Sequence, residues 1–298
     1  MASASVPGRR GTWLGRTVLW LIMASVAAVF AAPLALMVLA SAQPDERSGL
    51  ADVGGGEQGG DGVGGAIGLL SSAANNYGRV LRDPAVDMPG ALRNSLRVAL
   101  LSVAGMTISS AVVAYGFARL RWPGREACFA VVLATMMIPF PVIMAPTYLV
   151  FKQLGMIGTL MPLWLPSWFG GAFSIYLLRQ FFMSIPRELD EAARLDGCTE
   201  FGVFLRIVIP TSVPALAVVA LLQFVSSWND FLGPLLFLNH QETYTLALAL
   251  HMFQSQHGGV GWNLTMAATT LTIAPVVAVF VFAHRAITDG IGTQGMVE

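Results

Sequence analysis

Between Ser184 and Pro210 the chain reads Ser-Ile-Pro-Arg-Glu-Leu-Asp-Glu-Ala-Ala-Arg-Leu-Asp-Gly, then Cys-Thr-Glu-Phe-Gly-Val-Phe-Leu-Arg-Ile-Val-Ile-Pro. Its charges fall in a helical pattern. Pro186 suits a first turn, where its missing N–H costs nothing. Glu188, Asp190 and Glu191 favour the positive end of the same helix. Gly197 suits the stop, and Thr199 suits the cap of a second helix ending before Pro210. On the first helix Ile185, Leu189, Ala192, Ala193 and Asp196 share one side, with Arg187, Glu188, Glu191 and Arg194 around most of the rest. The two alanines let another surface approach the backbone closely. Recognition by shape and charge is the chemistry on offer. A docking helix and an ordinary solvated loop helix both fit it.

A second group lies further on. Phe224, Trp228 and Phe231 recur on one helical face, with Asn229 and Asp230 beside them. Aromatic rings meet the apolar C–H faces of sugars, and amides and carboxylates meet the hydroxyls, so the group suits a transient sugar site. Trp228 as an interfacial anchor, with Asn229-Asp230 holding a helix break before Gly233-Pro234, fits equally. Tyr148 and Gln223 are further path candidates. Pro139, Pro141, Pro146 and Pro275 remove backbone donors from apolar runs. In a bilayer such breaks survive only where buried in protein or lining a cavity, so a gate and a packed kink both remain open.

Bond-making chemistry finds little support. His240, His251, His257 and His284 show no metal spacing, and Cys128 and Cys198 form neither a disulfide framework nor a zinc cluster. No G-x-S-x-G or H-E-x-x-H is present. A phosphate-binding loop needs G-x-x-x-x-G-K-[ST], but the only lysine is Lys152, in Val-Phe-Lys-Gln. Asp230 is the only carboxylate within a long apolar stretch, which is thin support for ion coupling. An intramembrane transferase and a passive channel are therefore weak readings. Active transport by this chain requires a separate ATPase.

These residues must be positioned by membrane-spanning elements. The 298 residues are 55% hydrophobic and 11% charged, where soluble chains average about 25% charged. A net charge of +0 gives no basic footprint for nucleic acid. Uncharged runs cover Thr17–Ala40, Val98–Ala118, Ala127–Phe151, Gln153–Leu178, Ile207–Asn229 and Thr243–His284, the last supplying a span at Asn263–Phe282. Six spans are expected. The front of the last run, Thr243–Gly261, reads as an external segment. Thr17–Ala40 follows Arg9, Arg10 and Arg16 and exceeds the roughly 7–15-residue core of a signal peptide, so it reads as an uncleaved span.

Most of the 17 basic residues, among them Arg119, Arg121, Arg125, Arg187, Arg194 and Arg206, fall inside if both termini are cytoplasmic. The outer segments then hold Arg47, Arg79, Arg82, Arg93, Arg97 and Lys152. Arg93 and Arg97 read as snorkelling side chains. The chain divides into an N-terminus and first span (1–40), an outer loop (41–91) with a flexible Gly-rich part (49–68), a permease core (92–285) containing the 184–210 loop, and a cytoplasmic tail (286–298).

Glu191-Ala192-Ala193, Gly197 after three further residues, and Ile207, Ile209 and Pro210 after nine more resemble the EAA motif of binding-protein-dependent ABC importer permeases. The family's Leu-Pro is Ile209-Pro210 here. The resemblance runs from about Leu92 to Val297 and is nearest the maltose-type, carbohydrate-uptake branch. Further stretches that carry it are Asn94-Ser95, Tyr115-Gly116-Phe117-Ala118-Arg119, Pro123-Gly124-Arg125, Ile138-Pro139, Trp228-Asn229-Asp230, Tyr244-Thr245-Leu246 and the tail Gly290–Gly295. The resemblance implies an all-α polytopic membrane protein with six transmembrane helices in the type I ABC importer permease fold. It implies coupling helices seated in a cleft of the ATPase, with Glu191 pairing with a basic residue there and Gly197 allowing the bend. The implied partners are a second homologous permease, two ATP-binding-cassette ATPases, an extracytoplasmic substrate-binding protein and membrane lipid. ATP and Mg reside on the ATPase, and this chain needs no cofactor. The implied cargo is a sugar, with glycerol-3-phosphate or a glycerophosphodiester as the rival.

Overall fold

A computed structural model describes residues 13–44, 63–256 and 261–294, and among these no strand occurs. The helices are α1 (Trp13–Ser41), α2 (Val63–Leu81), α3 (Met88–Ala118), α4 (Arg125–Thr135), α5 (Phe140–Gln153), α6 (Met161–Trp164), α7 (Ala172–Ser184), α8 (Arg187–Leu195), α9 (Glu200–Val203), α10 (Ile209–Thr211), α11 (Val213–Trp228), α12 (Leu232–Phe237), α13 (Leu246–Gln256) and α14 (Trp262–Gln294). Two compact units divide the chain, one of residues 1–80 with 259–270, the other of 81–258 with 271–298. Arg9, Arg10, His257 and Gly295–Glu298 lie outside the described residues, as does the Gly-rich stretch up to residue 62. From Val63 that stretch is already helical.

In the first unit, the free carbonyls at the end of α1 find side-chain donors. Asn76 donates from Nδ2 to Ser41 O and Gln43 O, both at 2.9 Å, and Asn263 donates to Gln43 O at 3.1 Å. The apolar side chains along α1 are exposed, Trp20 and Phe30 among them. Such a surface needs lipid or another apolar chain.

In the second unit, α3 is the central helix. It packs on α7, α11, α13 and the 3-10 turn Leu165–Phe169. Buried Ala99, Ser102, Ser110 and Ala114 keep its surface low, and small residues let helices approach closely. At Gly105 a Cβ would lie 2.5 Å from the Trp168 ring, so only glycine fits there. At its start Asn94 donates to Glu242 O (2.8 Å) and Tyr244 O (3.1 Å), and Ser95 Oγ accepts from Leu246 N at 2.7 Å. Two short stretches far apart in sequence thereby form one clamp.

The spans depart from expectation at their breaks. Among the described residues three helices are by length and composition able to cross a membrane (Gly15–Ser41, Met88–Ala118 and Trp262–Val281), or up to five if each of two bent pairs is one span. α4 and α5 meet at 98°, after the Met136–Pro139 break, and Glu200–Thr211 meets α11 at 76°. The run Gln153–Leu178 is not one helix. Pro162 and Pro166 limit it to α6 and a 3-10 turn, and Gly170, at φ 81°, ends that turn before α7 begins. α3 starts ten residues before the expected Val98 because Asp87 caps it, its Oδ1 accepting from Gly90 N at 2.9 Å, with Pro89 in the first turn. The segment expected to be external folds in part as α13, whose Leu246, Ala249 and Phe253 are buried. The tail expected at 286–298 continues α14 as far as Gln294.

Candidate functional site

The 184–210 hairpin is built by local rules. α7 ends at Ser184, Ile185 is extended, and Pro186 opens α8 with Glu188 and Asp190 in the first turn and Arg194 in the last. The helix stops in a Schellman arrangement, with Cys198 N donating to Ala193 O at 2.9 Å and Gly197 N to Arg194 O at 3.0 Å. Gly197 has φ 83°, yet no atom lies within 4 Å of where its Cβ would stand. Backbone conformation, not crowding, requires glycine here. Thr199 then caps α9, its Oγ1 accepting from Gly202 N at 3.2 Å. A π-turn over Phe204–Val208 follows, with Ile209 N reaching back to Phe204 O. It sits just before Pro210, which has no N–H to continue the ordinary ladder.

The end of α3 grips both arms of this hairpin. Arg119 pairs with Asp190 at 3.1 Å, the two side chains 2% and 4% exposed, and also donates to Ile185 O at 2.8 Å. Tyr115 donates to Glu200 O (3.2 Å) and Glu200 Oε2 (3.1 Å). Arg194 donates to both oxygens of Glu200, at 2.9 and 3.2 Å, closing the two arms across Gly197. The hydrogen bond to Glu200 holds the Arg194 guanidinium above its ordinary pKa.

This grip fixes the roll of α8. Asp190, Ala193 and Ile185 turn inward, so the face that sequence spacing offered to a partner is split between core and surface. Ala193 belongs to the chain's own core, and Ile207 packs against the same cluster from partial burial. The outward stripe is Glu188, Glu191, Ala192 and Leu195, all exposed. Leu195 is 89% exposed and Phe201 66%. Beside Glu191 opens a cleft of about 370 Å³ lined also by Arg121, Arg187 and Arg194. Pro210 is exposed. Leu195 and Phe201 escaped the sequence reading because exposure depends on which face Arg119 captures. The one available signal was a leucine beside a helix-stopping glycine.

The other candidate group is not one site. Phe224 and Trp228 stack at 5.4 Å, both buried, and Trp228 Nε1 donates to Thr272 O at 3.1 Å. Phe231 meets His251 edge-on, while Tyr148 stacks on Phe237. Asn229 donates to Val225 O at 2.8 Å, and Asp230 Oδ1 accepts from Gly233 N at 3.0 Å. Trp228 thus ties α11 to α14, while the Asn229 amide nitrogen and Asp230 Oδ1 close the end of α11 and the start of α12. Gln223 donates to Ser167 Oγ at 3.4 Å. Among the described residues no group of three His, Cys, Asp or Glu is placed to hold a metal ion.

Comparison with known proteins adds four findings. The family described as "binding-protein-dependent transport system inner membrane component" matches residues 105–292. The chain is 33% identical over 203 residues to the arabinooligosaccharides transport system permease protein AraQ of Halalkalibacterium halodurans, covering 68% of this chain and 72% of that one. It is 31% identical over 222 residues to the trehalose/maltose transport system permease protein MalG of Thermococcus litoralis, covering 74% and 80%. Its fold is similar to a chain in the crystal structure of a bacterial ABC transporter involved in the import of the acidic polysaccharide alginate, with a TM-score of 0.71, 22% identity and coverage of 96% and 99%.

Proposed function

Because the chain belongs to the family of binding-protein-dependent transport system inner membrane components, we propose that it is a permease subunit of an ABC importer and forms half of a transmembrane pathway for a sugar. The observation that carries this reading is the outward stripe Glu188, Glu191, Ala192 and Leu195, held on a helix whose opposite side is locked into the chain. A small-residue step between a carboxylate and an exposed leucine fits a cleft on a partner that supplies a basic side chain. That partner is an ATP-binding-cassette ATPase carrying ATP and Mg. Two such ATPases, a second homologous permease and an extracytoplasmic binding protein complete the machine. Closure of the ATPases on ATP displaces the 184–210 hairpins and turns the pathway from inward- to outward-facing. The carbohydrate names of the similar permeases favour a sugar over a phosphate ester.

In this reading Glu191, Ala192 and Gly197 shape the ATPase contact, Ala193, Ile207 and Pro210 hold the hairpin's form, and both termini are cytoplasmic. Trp228, Asn229, Asp230, Phe224 and Tyr148 shape the wall of the path more than they read the cargo, since Trp228 Nε1, Asn229 Nδ2 and Asp230 Oδ1 are bonded within the chain and the rings of Phe224, Trp228 and Tyr148 are stacked. Reconstituting the chain with its partners and replacing Glu191 by Arg tests the reading. Uptake per inserted complex is expected to fall at least about fivefold, the scale of a lost coupling contact, with membrane insertion unchanged. Wild-type uptake by Glu191→Arg would overturn it.

A further inference from the structure

Tyr115 and Arg119 stand four residues apart at the end of α3, on one side of the helix. From that single turn Arg119 reaches the first arm of the hairpin twice, at Asp190 and Ile185 O. Tyr115 reaches the second arm twice, at the carbonyl and carboxylate of Glu200. The Arg194–Glu200 pair ties the arms to each other. The contacts close into a ring: α3, first arm, second arm, and back to α3.

Two features set the Arg119–Asp190 pair apart. It is deeply buried, whereas each other described ion pair has at least one exposed partner. It is also incompletely satisfied, since Arg119 Nε and Asp190 Oδ1 find no hydrogen-bond partner among the described residues. A buried ion pair is a poor device for stability, because desolvation offsets its attraction. What it supplies is direction: two charges in low dielectric hold their relative placement, and apolar contacts slide. α3 carries that placement onward, since its packing against α7, α11 and the 165–169 turn makes it the central helix of the unit.

We infer that Tyr115 and Arg119 are the positioning residues through which displacement of the 184–210 hairpin is passed to α3, the Arg119–Asp190 pair acting as the rigid link. The inference rests on the reading of the hairpin as the ATPase contact, and its test separates the two. In the complete transporter reconstituted in liposomes, three quantities are measured per assembled complex: retention of the ATPase, ATP hydrolysis without cargo, and uptake. Arg119→Met combined with Asp190→Leu fills the site without charge. With the site filled by apolar side chains and Ile185 and Ala193 still buried, α8 is expected to keep its roll, so that ATPase retention and cargo-free hydrolysis persist while uptake falls at least about fivefold, the lower end of the range for allosteric coupling. Tyr115→Phe removes one hydroxyl and is expected to lower uptake per ATP hydrolysed in the same direction by a smaller factor.

Wild-type uptake by the apolar double variant would overturn the inference, leaving the pair a matter of folding alone. Loss of ATPase retention in proportion to uptake would also overturn it, reducing the pair to a support for the docking surface. Should the double variant fail to assemble, Tyr115→Phe decides, and unchanged uptake per ATP hydrolysed rejects the inference. Glu191→Ala reports on the parent reading separately. If that variant retains the ATPase and imports normally, the docking assignment fails whatever the Arg119 variants do.

Discussion

Asp190 and Glu191 are adjacent carboxylates in opposite environments. Asp190 is 3% exposed and faces Arg119; Glu191 is exposed and lines an open cleft. The difference sets what each substitution costs. Asp190→Ala leaves the Arg119 guanidinium buried without its counter-charge, a situation that destabilises by about 3–5 kcal/mol. Thermal unfolding of the detergent-solubilised protein is expected to show a large drop for Asp190→Ala and almost none for Glu191→Ala. Arg194→Ala belongs with the mild changes, because both it and Glu200 are partly exposed and such pairs contribute less than about 1 kcal/mol. An Arg194→Ala variant as unstable as Asp190→Ala would refute this ordering.

At the scale of elements, two glycines are required for different reasons, and substitution separates them. Gly197 has open space but a left-handed backbone, so Gly197→Ala is expected to cost about 1–2 kcal/mol of hairpin stability and Gly197→Asn less. Gly105 has an ordinary helical backbone but a Trp168 ring where a side chain would go. Gly105→Val is expected to cost about 1–3 kcal/mol by overpacking, with Asn no milder. Unfolding measurements on the four variants check both patterns. The same contrast explains what the sequence revealed. Caps and stops are chemistry within a few residues, so Pro186, Gly197 and Thr199 were readable, as were the uncharged runs at 17–40, 98–118 and 263–282. The roll of α8 was not, because it depends on Arg119, far upstream in the chain. Nor was the division of the 153–178 run, where Pro162, Pro166 and Gly170 sit inside a stretch that composition alone reads as one span. For Asn229 and Asp230 the sequence left a sugar contact and a helix break before Gly233-Pro234 both open, and only the bonds to Val225 O and from Gly233 N favour the break.

Over the whole molecule, the two ends of α3 hold different things. Asn94, near its start, binds the carbonyls of Glu242 and Tyr244, and Tyr115 and Arg119, at its end, bind the hairpin. From residue 94 to 119 a helix rising about 1.5 Å per residue covers roughly 37 Å, more than the ~30 Å hydrocarbon core. A membrane-spanning α3 therefore places the Glu242 segment and the hairpin on opposite sides of the bilayer. The side is set by basic residues: Arg119, Arg121, Arg125, Arg187, Arg194 and Arg206 gather at the hairpin end, against Arg93 and Arg97 at the other. Cytoplasmic loops carry the excess of Arg and Lys, so the proposed function predicts that the hairpin end faces the cytoplasm. With Cys128 and Cys198 replaced by Ser, Asp196→Cys is expected to react with a membrane-impermeant maleimide only from the cytoplasmic face, and Glu242→Cys only from the outer face. Labelling of both positions from one face would mean that α3 does not cross the membrane, and the reversed pattern would mean that the ATPase has no access to Glu191.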